Sequence, residues 1–387
     1  MAGTKRCAIN LDLSKKYLNL CFDWIYLEFL RKSKSLIQNI LILSIYPLFL
    51  VICGFFMIIE ISKFKIGGNF TFFAYLMVYF GATYQCLWKY FVFLLYDEKI
   101  KKMRKFIDDI QTSIQSTSIL SDIRISEYQK ALKFYIFFVK SGCVVIASTV
   151  IQINIYNVYV TNFTSILMFT IPLLPETSAF YRPVNLIFQF ISLKILAIIF
   201  IGSDFLFAIL VGCLDGELRS IVAYILTMKD EKVARTEGKE ILKMVYENHL
   251  RVLLILNDLR TIFWNLSLQF LLTSFLYMCF TIFLARVLII SFSTIIICFN
   301  ATAILFMYSY MSQIILNRTE GVAYALWQTS WYNLAIDDKR TFIMVLRMAQ
   351  KQKGLSVCGV TTISINTFVQ VLKAAITFGT LLYTFIN

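Results

Sequence analysis

Residues 358–387 read CGVTTISINTFVQVLKAAITFGTLLYTFIN, with a single formal charge, Lys373. About twenty mainly apolar residues suffice to cross a bilayer as a helix, so this run is long enough to be a span. Its polar content sets it apart from a plain lipid anchor: Thr361, Thr362, Ser364, Asn366, Thr367, Gln370, Lys373, Thr377, Thr380 and Thr384 interrupt the apolar residues. Hydrocarbon offers such groups no partner, so they must meet protein or water. Ala374, Phe378, Leu381 and Phe385 share a stripe at helical spacing, with Thr377 and Thr384 beside it. That mixture suits the wall of a narrow aqueous path with an apolar constriction. It equally suits a packing face inside a bundle, where Ser and Thr hydrogen-bond across helices.

Upstream of this run lie Ser330-Trp331-Tyr332, the acidic turn Asp337-Asp338 and a basic amphipathic segment, Lys339–Lys351. The whole chain of 387 residues is 59% hydrophobic, with a mean hydropathy of +0.72, which marks a polytopic membrane protein rather than a soluble globule. No hydrophilic stretch is long enough for a separate folded unit, so one membrane domain over 1–387 is expected. Apolar runs of spanning length lie near 38–61, 71–95, 134–157, 184–210, 262–285, 288–312 and 358–386. The expected fold is therefore all-α, with seven transmembrane helices and cytoplasmic anchor segments near 211–261 and 313–357.

Lys and Arg orient the chain. With the N-terminus inside, 28 of the 37 basic residues fall in inner segments and 4 (Lys63, Lys65, Arg182, Arg286) in outer ones. The N-terminus is then cytoplasmic and the C-terminus extracellular, in keeping with a polar, basic start that has no signal-peptide pattern. The sequons at Asn69 and Asn162 both fall in expected outer loops and are glycosylation candidates. The net charge of +14 is thus a topology signal, and nucleic acid is not an expected partner. The nine cysteines are scattered singly, His249 is the only histidine, and no Ser/His/Asp, HExxH or phosphate-loop pattern occurs. No catalytic residues, metal site or cofactor are expected, and the protein reads as a non-enzyme.

Three features of the middle stand out. The outer segment 158–183 carries Pro172, Pro175 and Pro183 and either covers a pocket mouth or simply connects two spans. The fourth and fifth apolar runs continue past the membrane. From Glu240 a heptad seam places Ile241, Val245, Asn248, Val252, Ile255, Leu259, Ile262 and Leu266 together, a seam that needs partners from neighbouring extensions or another subunit. In the outer half, Phe72, Tyr75, Tyr79, Thr149, Gln152, Tyr156, Gln189, Ser192 and Ser293 form the candidate ligand-binding set; Tyr75, Tyr79, Thr149, Gln152, Tyr156, Gln189 and Ser192 sit at helical spacings beside lipid-like Val144, Ile151, Ile155, Leu186 and Ile187. Converging polar groups among aromatics describe a small apolar cavity, or else interhelical contacts. Lys89 and Lys140, near inner ends of spans, are expected to snorkel. Lys194, deeper in its span, is a functional candidate by default.

The run Tyr324…Trp331-Tyr332…Arg340…Arg347-Met348-Ala349-Gln350-Lys351…Ser364…Thr367-Phe368…Leu372-Lys373…Leu381-Leu382 resembles the C-terminal signature of insect odorant receptors. The resemblance implies an odorant-binding subunit of a ligand-gated, non-selective cation channel. Such a subunit assembles with the odorant receptor co-receptor as a heterotetramer in the plasma membrane of olfactory neuron dendrites. It further implies a small volatile ligand in the outer half and a pore lined by the last helix, with Ala374, Thr377, Phe378, Leu381 and Phe385 as pore and gate residues. The inner loop at 226–240 lacks the co-receptor's long insertion, so a tuning subunit is implied. The alternative is a homotetrameric gustatory receptor channel, whose ending the chain also resembles. Phe378 and Thr384 depart from that ending, which favours the odorant branch. A G-protein-coupled receptor would place its N-terminus outside, and a secondary transporter would show a repeated half.

Overall fold

The computed structural model describes residues 15–28, 35–64, 70–114, 119–162, 164–172, 174–287, 292–351, 354–357 and 361–386. The helices are, in chain order, α1 (15–26), α2 (Leu36–Ser62), α3 (Phe70–Leu95), α4 (Asp97–Ile114), α5 (Ile119–Val160), α6 (Tyr181–Thr227), α7 (Glu231–Thr236), α8 (Gly238–Val287), α9 (Phe292–Trp327), α10 (Ile336–Ala349) and α11 (Ile365–Ile386). One antiparallel pair of short strands, β1 (Ser356–Val357) and β2 (Thr361–Thr362), precedes α11. The final helix therefore starts later than the apolar run, which begins at 358. Ser364 fixes its start: Ser364 Oγ accepts from Thr367 N–H at 3.4 Å and Thr367 Oγ1 accepts from Ser364 N–H at 3.3 Å, a reciprocal cap.

Among the described residues, α2, α3, α6, α8, α9 and α11 are long and apolar enough to cross a membrane. The expected span at 134–157 lies within α5, several of whose side chains fall outside the described residues. This is an all-α membrane protein. α8 has 50 residues and α6 has 47, so at 1.5 Å per residue each is roughly 70–75 Å long. The hydrocarbon core is about 30 Å thick, and the excess of both helices gathers at one end of the bundle. There Ser330 N–H donates to Met228 O at 3.0 Å and Ser330 Oγ to Lys229 O at 2.9 Å, tying the end of α9 to the end of α6. We call this the anchor end, and the opposite end, with residues 161–180, the loop end.

The heptad seam of α8 is covered by this same chain. Ile241, Val245, Val252, Ile255, Leu259 and Ile262 are all buried, while Asn248 and Leu266 at the margin are half-buried. α10 packs on α8 with Phe342, Val345, Leu346 and Ala349 buried, leaving Arg340 exposed and Lys339 half-buried. The seam thus needs no second subunit to cover it.

α6 is the axis of the bundle: 78% of its most apolar window is buried, against 11% for α11. It runs against α5 along much of their length, which glycine permits. A Cβ at Gly212 would lie 2.9 Å from the Tyr135 ring, and one at Gly216 2.9 Å from the Tyr128 ring. The Tyr128 hydroxyl then donates to Glu217 Oε1 at 2.8 Å and to Cys213 O at 3.2 Å, and Arg124 Nε donates to Glu217 Oε1 at 3.1 Å. Burial and the adjacent Glu217 carboxylate push the Tyr128 phenol well above its usual pKa, so it remains a donor. Asp215, on the same helix, takes Arg219 at 2.9 Å and Arg318 of α9 at 2.8 Å.

Candidate ligand site and pore helix

At the loop end, α2, α3, α6 and α8 enclose a cluster of buried apolar side chains that includes Cys53, Met57, Ala74, Tyr75, Tyr79, Phe283 and Leu284. Phe72, Phe188 and Tyr277 are partly buried against it, as are Leu382 and Tyr383 of α11. Tyr75 and Tyr79 of the expected ligand set are therefore core residues of one cluster, with Phe72 at its edge. The side chains of Thr149, Gln152, Tyr156 and Ser293 lie outside the described residues. Val144, Ile151, Ile155 and Ile187 are exposed, as a lipid-facing surface requires.

Gln189 and Ser192 are both fully buried, but their polar atoms are already used. Ser192 Oγ donates to Phe188 O at 3.0 Å, within its own helix. Gln189 Oε1 accepts from Ile166 N–H at 2.7 Å, Leu167 N–H at 2.8 Å and Ser165 Oγ at 3.0 Å, while its Nε2 donates to Phe169 O. One turn away, Asn185 Oδ1 accepts from Ile171 N–H at 2.8 Å. Gln189 is thus the anchor of the α5–α6 loop. The sequence reading missed Asn185, although Asn185, Gln189 and Ser192 at i, i+4 and i+7 form a polar stripe on an apolar helix, the available signal.

α11 presents the expected pore residues outward. Phe378 is 54%, Leu381 44% and Phe385 85% exposed; Thr377 is exposed and Ala374 half-buried. On the same helix Asn366, Gln370, Lys373 and Thr384 are also exposed, which with Thr377 makes a polar stripe at spacings of four, three, four and seven. The hydroxyls turn back on the helix: Thr377 donates to Lys373 O at 3.0 Å, Thr380 to Thr377 O at 2.7 Å and Thr384 to Leu381 O at 2.8 Å. The opposite face packs on α8 at Gly379, where a Cβ would lie 3.0 Å from Ile282 Cγ2. Phe378 meets Phe275 of α8 edge-on at 5.6 Å.

Between the loop end and the anchor end sits a polar centre unforeseen from sequence. Lys89 of α3 does not snorkel; it is buried, and its Nζ pairs with Asp204 Oδ1 of α6. Tyr308 of α9 donates to the same oxygen and Ser203 Oγ reaches it at 3.3 Å. The ammonium also lies 4.7 Å from the Phe200 ring centroid. Two cavities lined by Lys89 and Tyr308 flank the pair at about 20 Å³ each, far below the several hundred Å³ of a typical small-molecule pocket. Lys194, the expected functional lysine, instead faces outward on α6, exposed, with its Nζ 4.5 Å from the Phe190 ring centroid. Asn162 is exposed in a turn with φ 50°, and Asn69 lies outside the described residues.

Two solved structures share this fold. The insect olfactory receptor OR5 from Machilis hrabei in complex with eugenol aligns with a TM-score of 0.78 at 12% identity, over 97% of this chain and 98% of that one. A structure of the same receptor, described without eugenol, gives a TM-score of 0.74 at 12% identity, over 91% and 90%. No curated protein matches the sequence. The family model for the 7tm odorant receptor matches residues 69–376, well over half of the chain. With the fold and this match together, the chain belongs to the 7tm odorant receptor family.

Proposed function

We propose that this chain is the odorant-binding, tuning subunit of a heteromeric, ligand-gated, non-selective cation channel. The observation that carries the reading is the outward face of α11. A helix of spanning length leaves Asn366, Gln370, Lys373, Thr377 and Thr384 uncovered on one side. Lipid is a poor neighbour for an amide or an ammonium, so that face calls for water or for α11 of other subunits. Four such helices around an axis supply both. Leu381 and Phe385, close to the stripe, then narrow the path near the loop end and act as the apolar gate.

The aromatic cluster around Tyr75 and Tyr79 supports a small, mostly apolar volatile such as an ester, alcohol or terpene-like compound. The eugenol complex of the Machilis hrabei receptor agrees with a ligand of that class. The cluster also reaches Leu382 and Tyr383 on α11, so a ligand there has a direct path to the gate. It opens the channel only through its differential affinity for the open and closed arrangements. The basic-residue asymmetry supports a cytoplasmic anchor end and an extracellular C-terminus. On this reading the subunit sits in the dendritic plasma membrane of a sensory neuron, beside the odorant receptor co-receptor.

The test is whole-cell current from cells expressing this chain alone and with the co-receptor, under a broad volatile panel. Evoked cation current only on co-expression is the expected result. Current from this chain alone, or none in either case, would overturn the tuning-subunit reading.

A further inference from the structure

The loop between α5 and α6 enters the bundle rather than lying across its end. Leu167 is 0%, Phe169 1% and Met168 2% exposed, values of deep core residues, and all three belong to the cluster that holds Tyr75 and Tyr79. Met168 has φ 59°, a left-handed conformation that a residue with a Cβ adopts only when its surroundings enforce it. Neighbouring side chains enforce it. Gln189 binds four atoms of residues 165–169, Asn185 holds Ile171, and Thr170 Oγ1 donates to Glu60 of α2 at 3.1 Å. A buried amide that satisfies three donors and one acceptor in an apolar bundle is costly to remove, because the backbone N–H groups it serves would be left unpaired.

Resting on the reading of this chain as an odorant-binding subunit, we propose that residues 165–169 are a built-in wall of the odorant site. Leu167 and Phe169 occupy part of the space between α3, α6 and α8, and their volume sets the size of ligand that fits against Tyr75 and Tyr79. Gln189 is the positioning residue: it touches no ligand and acts by holding the wall in place. In an apolar pocket one methylene changes discrimination by roughly 10- to 200-fold, so small changes in the wall move the ranking of a homologous series.

The probe is the n-alkyl acetate series from butyl to decyl, scored as ligand-induced thermal stabilisation of the purified full-length chain with its co-receptor and, separately, as evoked current. Leu167→Ala and Phe169→Ala should each move the preferred chain length upward by about one or two methylenes, changing the ratio of half-maximal concentrations between short and long acetates about tenfold or more. Gln189→Leu should flatten the ranking. A role in folding alone would lower yield and maximal current without altering that ratio. In parallel, Leu167→Cys should resist a membrane-impermeant maleimide on intact cells, whereas Thr177→Cys reacts, and adding Gln189→Leu should expose the thiol. An unchanged ranking in both alanine variants, or labelling of Leu167→Cys as fast as Thr177→Cys, would overturn the proposal. Stabilisation without current would sink the channel reading and leave the wall standing; no stabilisation of the wild type by any acetate would sink the wall.

Discussion

Lys89 and Asp204 form an ion pair in the middle of the bundle with both side chains only 4% exposed. The pair joins α3 to α6, and Tyr308 adds α9 to the same carboxylate oxygen. Removing one partner of a buried pair leaves an uncompensated charge and costs about 3–5 kcal/mol, whereas replacing both with apolar groups is often neutral. Asp204→Ala should therefore reduce the melting temperature and surface yield strongly, and Lys89→Met with Asp204→Leu should recover much of the loss. Equal stability of Asp204→Ala and wild type in a detergent melting assay would remove the pair from the stabilising core.

Gly216 and Tyr128 give a second packing test. Alanine at Gly216 gains about 1 kcal/mol of helix propensity, but its methyl would sit 2.9 Å from a ring that is fully buried. Overpacking of this kind costs roughly 1–3 kcal/mol, so Gly216→Ala should destabilise despite the better helix former. Tyr128→Val in the same chain should relieve the clash while forfeiting the hydroxyl's bond to Glu217. A melting temperature for Gly216→Ala at or above wild type would show that α5 and α6 are not in close contact there.

Leu381 tests the gate. It is 44% exposed on the same helix as exposed Thr377 and Thr384. Replacing it with Ser removes an apolar constriction without touching the α8-facing side at Gly379. Current in the absence of ligand should rise when Leu381→Ser is co-expressed with the co-receptor. Basal current and ion permeation both matching wild type would take Leu381 out of the pore.

Asn162 tests orientation. Its exposed side chain and left-handed backbone, which asparagine tolerates better than most residues, leave the sequon accessible. Glycosidase treatment should increase the gel mobility of the wild type, and Asn162→Gln should lower the starting mass by one glycan. A chain with no glycan at Asn162, together with an epitope at residue 387 reachable only after permeabilisation, would invert the proposed topology.

Much of this architecture was legible from local pattern. Hydropathy marks the spans, because burying backbone in lipid requires long apolar helices. The heptad from Ile241 to Ile262 marks the extension of α8, because helix faces repeat at fixed spacing. Lys373 and the threonines of residues 358–387 mark the final helix as unusual in composition, because polar groups on a spanning helix need a partner other than lipid. All of these are properties of a few consecutive residues.

The sequence by itself determined a membrane-embedded helical chain, its long extensions and the odd composition of its last helix. Only the tertiary structure decided which polar groups meet. Lys89 and Asp204 are 115 positions apart, and nothing near either residue distinguishes a snorkelling lysine from a paired one. Gln189 read as a ligand contact because a lone buried amide needs partners; that those partners are the backbone of residues 166, 167 and 169 follows from where the loop enters the bundle. Periodicity tells which face of a helix is polar, whereas the partner of that face depends on packing between segments that are distant in the chain.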